Sequence, residues 1–135
     1  MVDKQSSQPQ WRPGHIRAPT DFSSLPDGIK VENVTFWAED GPASQGVLYG
    51  KGGERTVVCI THPRGDLTRH YMTPYLLEAG YAVCGFTHRA LTIDFALMHE
   101  TMLLDIAACL KMLKQDRGFE KVVLFANSGG VCACH

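Results

Sequence analysis

Residues Val122–His135 read VVLFANSGGVCACH, an apolar run that meets a serine set among small residues. With Lys121 before it, KVVLFA (Lys121–Ala126) is a short unbroken apolar run of β-branched and aromatic residues. That is the pattern of a strand buried on both faces of a parallel sheet. Ser128 follows almost at once, set among small residues in Ala126-Asn127-Ser128-Gly129-Gly130. A sharp strand-to-helix turn there lifts a side chain above the carboxyl edge of the sheet, where ligands of open α/β folds bind. The positions two before and two after such a serine must be small, because the turn presses them against neighbouring backbone. Gly130 meets that demand, and Ala126 stands where the pattern G-x-S-x-G has its first glycine. Ser128 is a candidate nucleophile; the plainer alternative is a Ser-Gly-Gly turn without chemistry.

Upstream segments extend the same pattern. TVVCIT (Thr56–Thr61) and YAVCGFT (Tyr81–Thr87) are further continuous apolar runs, so three central parallel strands are expected. Helices are expected between them. One spans about 70–79 and presents Tyr71, Tyr75, Leu76 and Ala79, with Gly80 as its stop. The other spans about 98–114, with Met102, Leu103, Ile106, Leu110 and Leu113 at helical spacing and Lys111 and Lys114 opposite. Ahead of these, KVENVTFWA and SQGVLYG flank EDGPA, where Asp40-Gly41 supplies the turn chemistry of a hairpin. The fold class is α/β: an N-terminal hairpin, then a mostly parallel sheet with flanking helices and right-handed crossovers. Residues 1–26, rich in Gln, Ser and Pro, read as a flexible or extended segment, and 27–135 as one incomplete domain.

Composition narrows the function classes. Apolar residues make up 44% and charged residues 20% of the chain, and the formal net charge is -1. This is a globular composition without the basic stripe that phosphate neutralisation needs, so no nucleic-acid partner is expected. The N-terminus lacks the apolar segment of a secretory signal, and no apolar stretch approaches the roughly 20 residues of a membrane span. The five cysteines (Cys59, Cys84, Cys109, Cys132 and Cys134) are an odd set, three of them inside apolar or helical runs. They read as free thiols in a reducing, cytoplasmic compartment.

An acyl-transfer site needs backbone N–H donors aimed at the developing oxyanion, one after the nucleophile and one from the loop after the third strand. Gly129 is the first candidate. Arg64, in THPRGDLTRHY, is the second, since Pro63 has no N–H. The stretch from about Val31 to Gly130 resembles the N-terminal part of an α/β-hydrolase of the bacterial esterase-like kind. The resemblance rests on His62-Pro63-Arg64-Gly65, on the helix HETMLLDI (His99–Ile106) and on the Asn-Ser-Gly-Gly turn. It implies that Ser128 is the nucleophile of an ester- or amide-cleaving enzyme. It also implies that His62 belongs to the oxyanion loop rather than acting as base.

Serine needs a histidine base oriented by a carboxylate. The resemblance implies the order serine, acid, histidine, yet only seven residues follow Ser128, with no Asp or Glu and only His135. The chain is therefore expected to be an N-terminal fragment, inactive alone, with KVVLFA exposed as an apolar edge prone to self-association. The alternative is a non-catalytic α/β domain that binds or associates through the same edge. No cofactor or metal is expected: Cys132, Cys134 and His135 are cramped and lack a fourth ligand, and His99-Glu100 is not H-E-x-x-H because position 103 is leucine. Asp105 reads as a surface or capping charge. His88 and Arg89, at the end of YAVCGFT, stand where they line a pocket of a complete domain, and Arg69 reads as a surface arginine.

Overall fold

A computed structural model describes residues 22–62, 67–89 and 99–126. The N-terminal segment before Phe22 lies outside the described residues. A short 3-10 turn, Phe22–Ser24, leads to strands β1 (Lys30–Trp37) and β2 (Ala43–Gly50), followed by β3 (Thr56–Thr61) and helix α1 (Thr73–Glu78). Strand β4 (Ala82–Thr87), helix α2 (His99–Lys111) with a π-helical turn at Met112–Asp116, and strand β5 (Lys121–Ala126) complete it.

These elements form one five-stranded sheet in the order β1-β2-β4-β3-β5. The hairpin β1–β2 is antiparallel and β2 joins β4 antiparallel, while β3 pairs in parallel with both β4 and β5. The three continuous apolar runs are thus the mutually parallel strands, as expected. β3 and β4 are buried along nearly their whole length; β1 alternates, with Val34 and Phe36 inside and Trp37 66% exposed. The apolar runs of β3 and β4 take the middle of the sheet. β5, expected from its apolar run to be buried on both faces, instead lies at the edge with β3 its sole strand neighbour among the described residues, and its Val123 and Phe125 are each 39% exposed.

Each face of the sheet carries its own core. One gathers Val34, Phe36, Val57, Cys59, Cys84 and Phe86 under the α2 stripe of Met102, Ile106, Cys109 and Leu113. The other gathers Tyr49, Val58, Ile60 and Val83 with Leu77 of α1. Two helical faces differ from the sequence expectation. On α2, Leu103 is 47% exposed and Asp105 is fully buried. On α1, Thr73 and Leu77 are buried and Tyr75 is 67% exposed. With only six residues, α1 lacks the length for its apolar residues to define one stripe.

Helix α1 ends as expected at Gly80. Tyr81 N–H donates to Leu76 O at 3.1 Å and Gly80 N–H to Leu77 O at 3.0 Å, with Gly80 at φ 93°, a Schellman ending that suits glycine. Leu67 and Thr68, ahead of α1, lie close over the sheet. Tyr49 Oη donates to the Thr68 carbonyl at 2.6 Å. A Cβ on Gly85 would sit 1.8 Å from the Leu67 carbonyl oxygen, so β4 needs glycine there for the backbones to meet.

Candidate active site

The strands that lead into the site expected from sequence, β3 and β5, end at Thr61 and Ala126. Ser128, Gly129 and Arg64 lie outside the described residues, as do Cys132, Cys134 and His135. His62 is described, half-buried, directly after β3. The register of β3 against β5 pairs Thr61 with Ala126. The residue before His62 is therefore laterally adjacent to the residue two before Ser128. Two strand ends that stand 65 residues apart in sequence (61 to 126) are neighbours in the sheet.

A buried polar cluster occupies the same edge. His88 follows β4, and its Nε2 lies 2.7 Å from Thr61 Oγ1 across the β3–β4 boundary. Its Nδ1 faces Asp105 Oδ2 at 3.5 Å, an ion-pair distance too long for a well-formed hydrogen bond. Thr61 and Asp105 have no exposed surface and His88 only 3%. Arg89 completes the cluster: its backbone N–H donates to Asp105 Oδ2 at 3.1 Å, its Nε to Oδ1 at 2.8 Å and its Nη2 to Oδ1 at 2.6 Å. The guanidinium also clamps Asp40 in the hairpin turn, with Nη2 2.9 Å from Oδ1. Burial on its own pushes the Asp105 carboxyl up, but the contacts from His88 and Arg89 outweigh it and hold the carboxyl below its usual range. Hydrogen bonds to Asp40 and Asp105 push Arg89 further up, so it stays ionised.

Sequence reasoning placed His88 and Arg89 at this edge but read Asp105 as a surface or capping charge. The structure overturns that: Asp105 sits on the α2 stripe with Met102, Cys109 and Met112, buried against the strand ends. The signal was present, since an acid at i+3 from Met102 and i−4 from Cys109 shares their face. Asp40 carried no comparable signal, because its partner is 49 residues away.

His70 is the second histidine near β5. It is 8% exposed, stacks on Tyr71 with centroids 4.3 Å apart, and meets Phe125 edge-on at 6.0 Å. Its Nδ1 accepts the Met72 N–H at 3.2 Å, and burial lowers its pKa. Arg69 lies over the Phe22 ring, 4.8 Å from its centroid.

Cys59, Cys84 and Cys109 are free and buried, with Cys109 Sγ 3.6 Å from Cys59 Sγ and 4.0 Å from Cys84 Sγ. The contacts with Cys59 and then Cys84, together with burial, push the Cys109 thiol up, the opposite of a reactive thiolate. Among the described residues, no group of three His, Cys, Asp or Glu is placed to hold a metal ion, and no helix is long and apolar enough to cross a membrane. A groove of about 200 Å³ is lined by Lys30, Leu48, Ala82, Arg117 and Phe119. It opens where β1 and β4 begin, at the end of the sheet away from Thr61 and Ala126.

Three solved structures show what this arrangement is similar to. The esterase Pf2001 of Pyrococcus furiosus superposes with a TM-score of 0.61 at 18% identity, over 92% of this chain and 45% of that one. Brefeldin A esterase, a bacterial homologue of human hormone sensitive lipase, gives 0.60 at 17% identity, over 96% of this chain and 40% of its own. Prolyl oligopeptidase B from Galerina marginata gives 0.61 at 12% identity, over 79% of this chain and 18% of its own.

The fold is a partial α/β-hydrolase fold.

No protein-family model and no curated protein matches the chain. The chain spans less than half the length of each of these three structures. Within the α/β-hydrolase fold, the described residues supply the hairpin, three parallel strands and the helices between them, and the His88 cluster joins the ends of β3 and β4 to α2.

Proposed function

We propose that this chain is the nucleophile-bearing N-terminal part of a serine hydrolase acting on ester or amide bonds. The observation that carries the reading is the β3–β5 register: Thr61 beside Ala126 brings the start of the His62–Gly65 loop next to the start of the Ser128 turn. In this reading Ser128 Oγ attacks the carbonyl carbon. The N–H groups of Gly129 and Arg64 receive the oxyanion, and His62 shapes the loop. The similar structures are named as esterases and a prolyl oligopeptidase, which supports a carbonyl substrate without narrowing it further.

The proton of Ser128 needs a base. His88 does not supply it: Nε2 is engaged by Thr61 and Nδ1 faces buried Asp105, so the ring is committed inside the fold. The acid and base of the triad are assigned to polypeptide outside this chain, and the 135-residue chain is accordingly inactive by itself. Free buried thiols fit a reducing, cytoplasmic setting. A second reading is a non-catalytic domain that associates through β5, favoured by the outward Val123 and Phe125, each 39% exposed.

The test is the intact mass of the native gene product, followed by labelling with a fluorophosphonate. We expect a product clearly larger than 14.9 kDa that labels at Ser128, and no label on the 135-residue chain. A native product of 14.9 kDa, or a larger one in which Ser128 stays unlabelled, overturns the hydrolase reading and leaves the second one standing.

A further inference from the structure

We infer that Thr61, His88 and Asp105 form a buried relay that fixes the end of β3 against β4 and α2, making them positioning residues for the Ser128 turn that follows β5, the strand paired with β3. The inference rests on the hydrolase reading above and gives that site a support it otherwise lacks.

The direction of the relay follows from hydrogen-bond chemistry. Asp105 is held ionised by Arg89 and can only accept. In the relay we infer, Nδ1–H turns toward Asp105 Oδ2, 3.5 Å away, and the Nε2 lone pair faces Thr61 Oγ1, 2.7 Å away. The Thr61 hydroxyl donates to that lone pair, which sets its rotamer. Thr61 is also the last residue of β3, paired on its other side with Ala126, the last residue of β5. The order across the sheet edge is thus α2 (Asp105), β4 (His88), β3 (Thr61) and β5 (Ala126), and it ends two residues before the serine.

Nothing in packing alone calls for these groups. Buried ionic and polar clusters are often replaceable by apolar side chains without loss of stability, so their presence at the one edge where chemistry is expected points to geometry as their use. The relay is closed to solvent: Thr61 and Asp105 have no exposed surface, so neither can touch a substrate. Arg89 anchors the far end, held by Asp105 and by Asp40 of the hairpin turn.

The experiment uses the native-length product and compares wild type with Thr61→Val, Thr61→Ser and His88→Gln. Rates of fluorophosphonate labelling at Ser128 and steady-state kcat and KM on a p-nitrophenyl ester are read alongside thermal melting. We expect Thr61→Val and His88→Gln to slow labelling and kcat by about ten- to a hundred-fold with KM nearly unchanged, the cost of a nucleophile displaced by a fraction of an ångström to an ångström. Thr61→Ser, which keeps the hydroxyl, should stay within about three-fold of wild type. If Thr61→Val melts like wild type and labels at the wild-type rate, the relay is wrong while the hydrolase reading stands. If wild type itself does not label, the hydrolase reading falls, and the relay with it. Should both disruptive variants fail to fold, ¹⁵N spectroscopy of the wild-type His88 ring decides. A protonated Nδ1 with bare Nε2 supports the relay, and the reverse tautomer overturns it.

Discussion

At the scale of single residues, Asp105 is the position where burial and charge conflict most sharply. Three groups of Arg89 and the ring of His88 converge on its carboxylate, which has no exposed surface. Asp105→Asn leaves Arg89 without its inner partner while Asp40 still holds the outer one. We expect a loss of about 3 kcal/mol, the low end for breaking a buried pair because Arg89 retains 17% of its surface. Urea unfolding at neutral pH measures it. The pH dependence has a definite sign. The folded-state pKa of Asp105 lies below its unfolded value, so its contribution is fully present above about pH 3.9 and is lost as pH falls through the folded value. Wild type should lose more stability than Asp105→Asn between pH 5 and about pH 2.5, read from the two urea midpoints at each pH. The apolar stripe of α2 carried a signal for the burial of Asp105, but the sequence reading gives it as a surface or capping charge. Its pairing with Arg89 was not legible, because a charge partner is chosen in space.

Elements show which face a helix buries. The period of α2 offers Leu103 and Leu113 as equal candidates, yet Leu113 is fully buried and Leu103 is 47% exposed. Leu113→Ala should therefore cost about 2–5 kcal/mol and Leu103→Ala about 0.5 or less, compared by chemical denaturation. Strand β4 carries a stricter demand at Gly85, where a methyl would meet the Leu67 carbonyl at 1.8 Å. Gly85→Ala cannot be absorbed by a side-chain rotation, because the obstacle is backbone. We expect at least about 1–3 kcal/mol of destabilisation, with the 67–68 segment displaced and the Tyr49–Thr68 hydrogen bond lost. Hydrogen exchange at Leu67–His70 reports that displacement. The identity of these strands and helices was readable from short apolar runs and from Gly80. The close crossing at Gly85 was not, since it depends on a loop that returns over the sheet.

For the whole molecule, the decisive feature is the unequal treatment of the parallel strands. β3 and β4 are enclosed, whereas β5 has β3 as its sole strand neighbour among the described residues and turns Val123 and Phe125 outward. An apolar edge of this kind pairs with other chains unless it is covered or charged. The 135-residue chain should self-associate at micromolar concentration, and Val123→Lys should shift it toward monomer in sedimentation velocity. A wild-type chain that remains monomeric would exclude β5 as an association surface. The type and order of the elements follow from local sequence. Continuous apolar runs, an alternating hairpin and glycine stops are local signals, and each acts within a few residues of where it is written. Tertiary structure alone decided the strand order β1-β2-β4-β3-β5, the burial of Asp105, and the meeting of Asp40 with Arg89 and of Thr61 with Ala126. Those contacts join residues far apart in the chain, and their partners are selected by sheet register and helix docking rather than by any spacing along it.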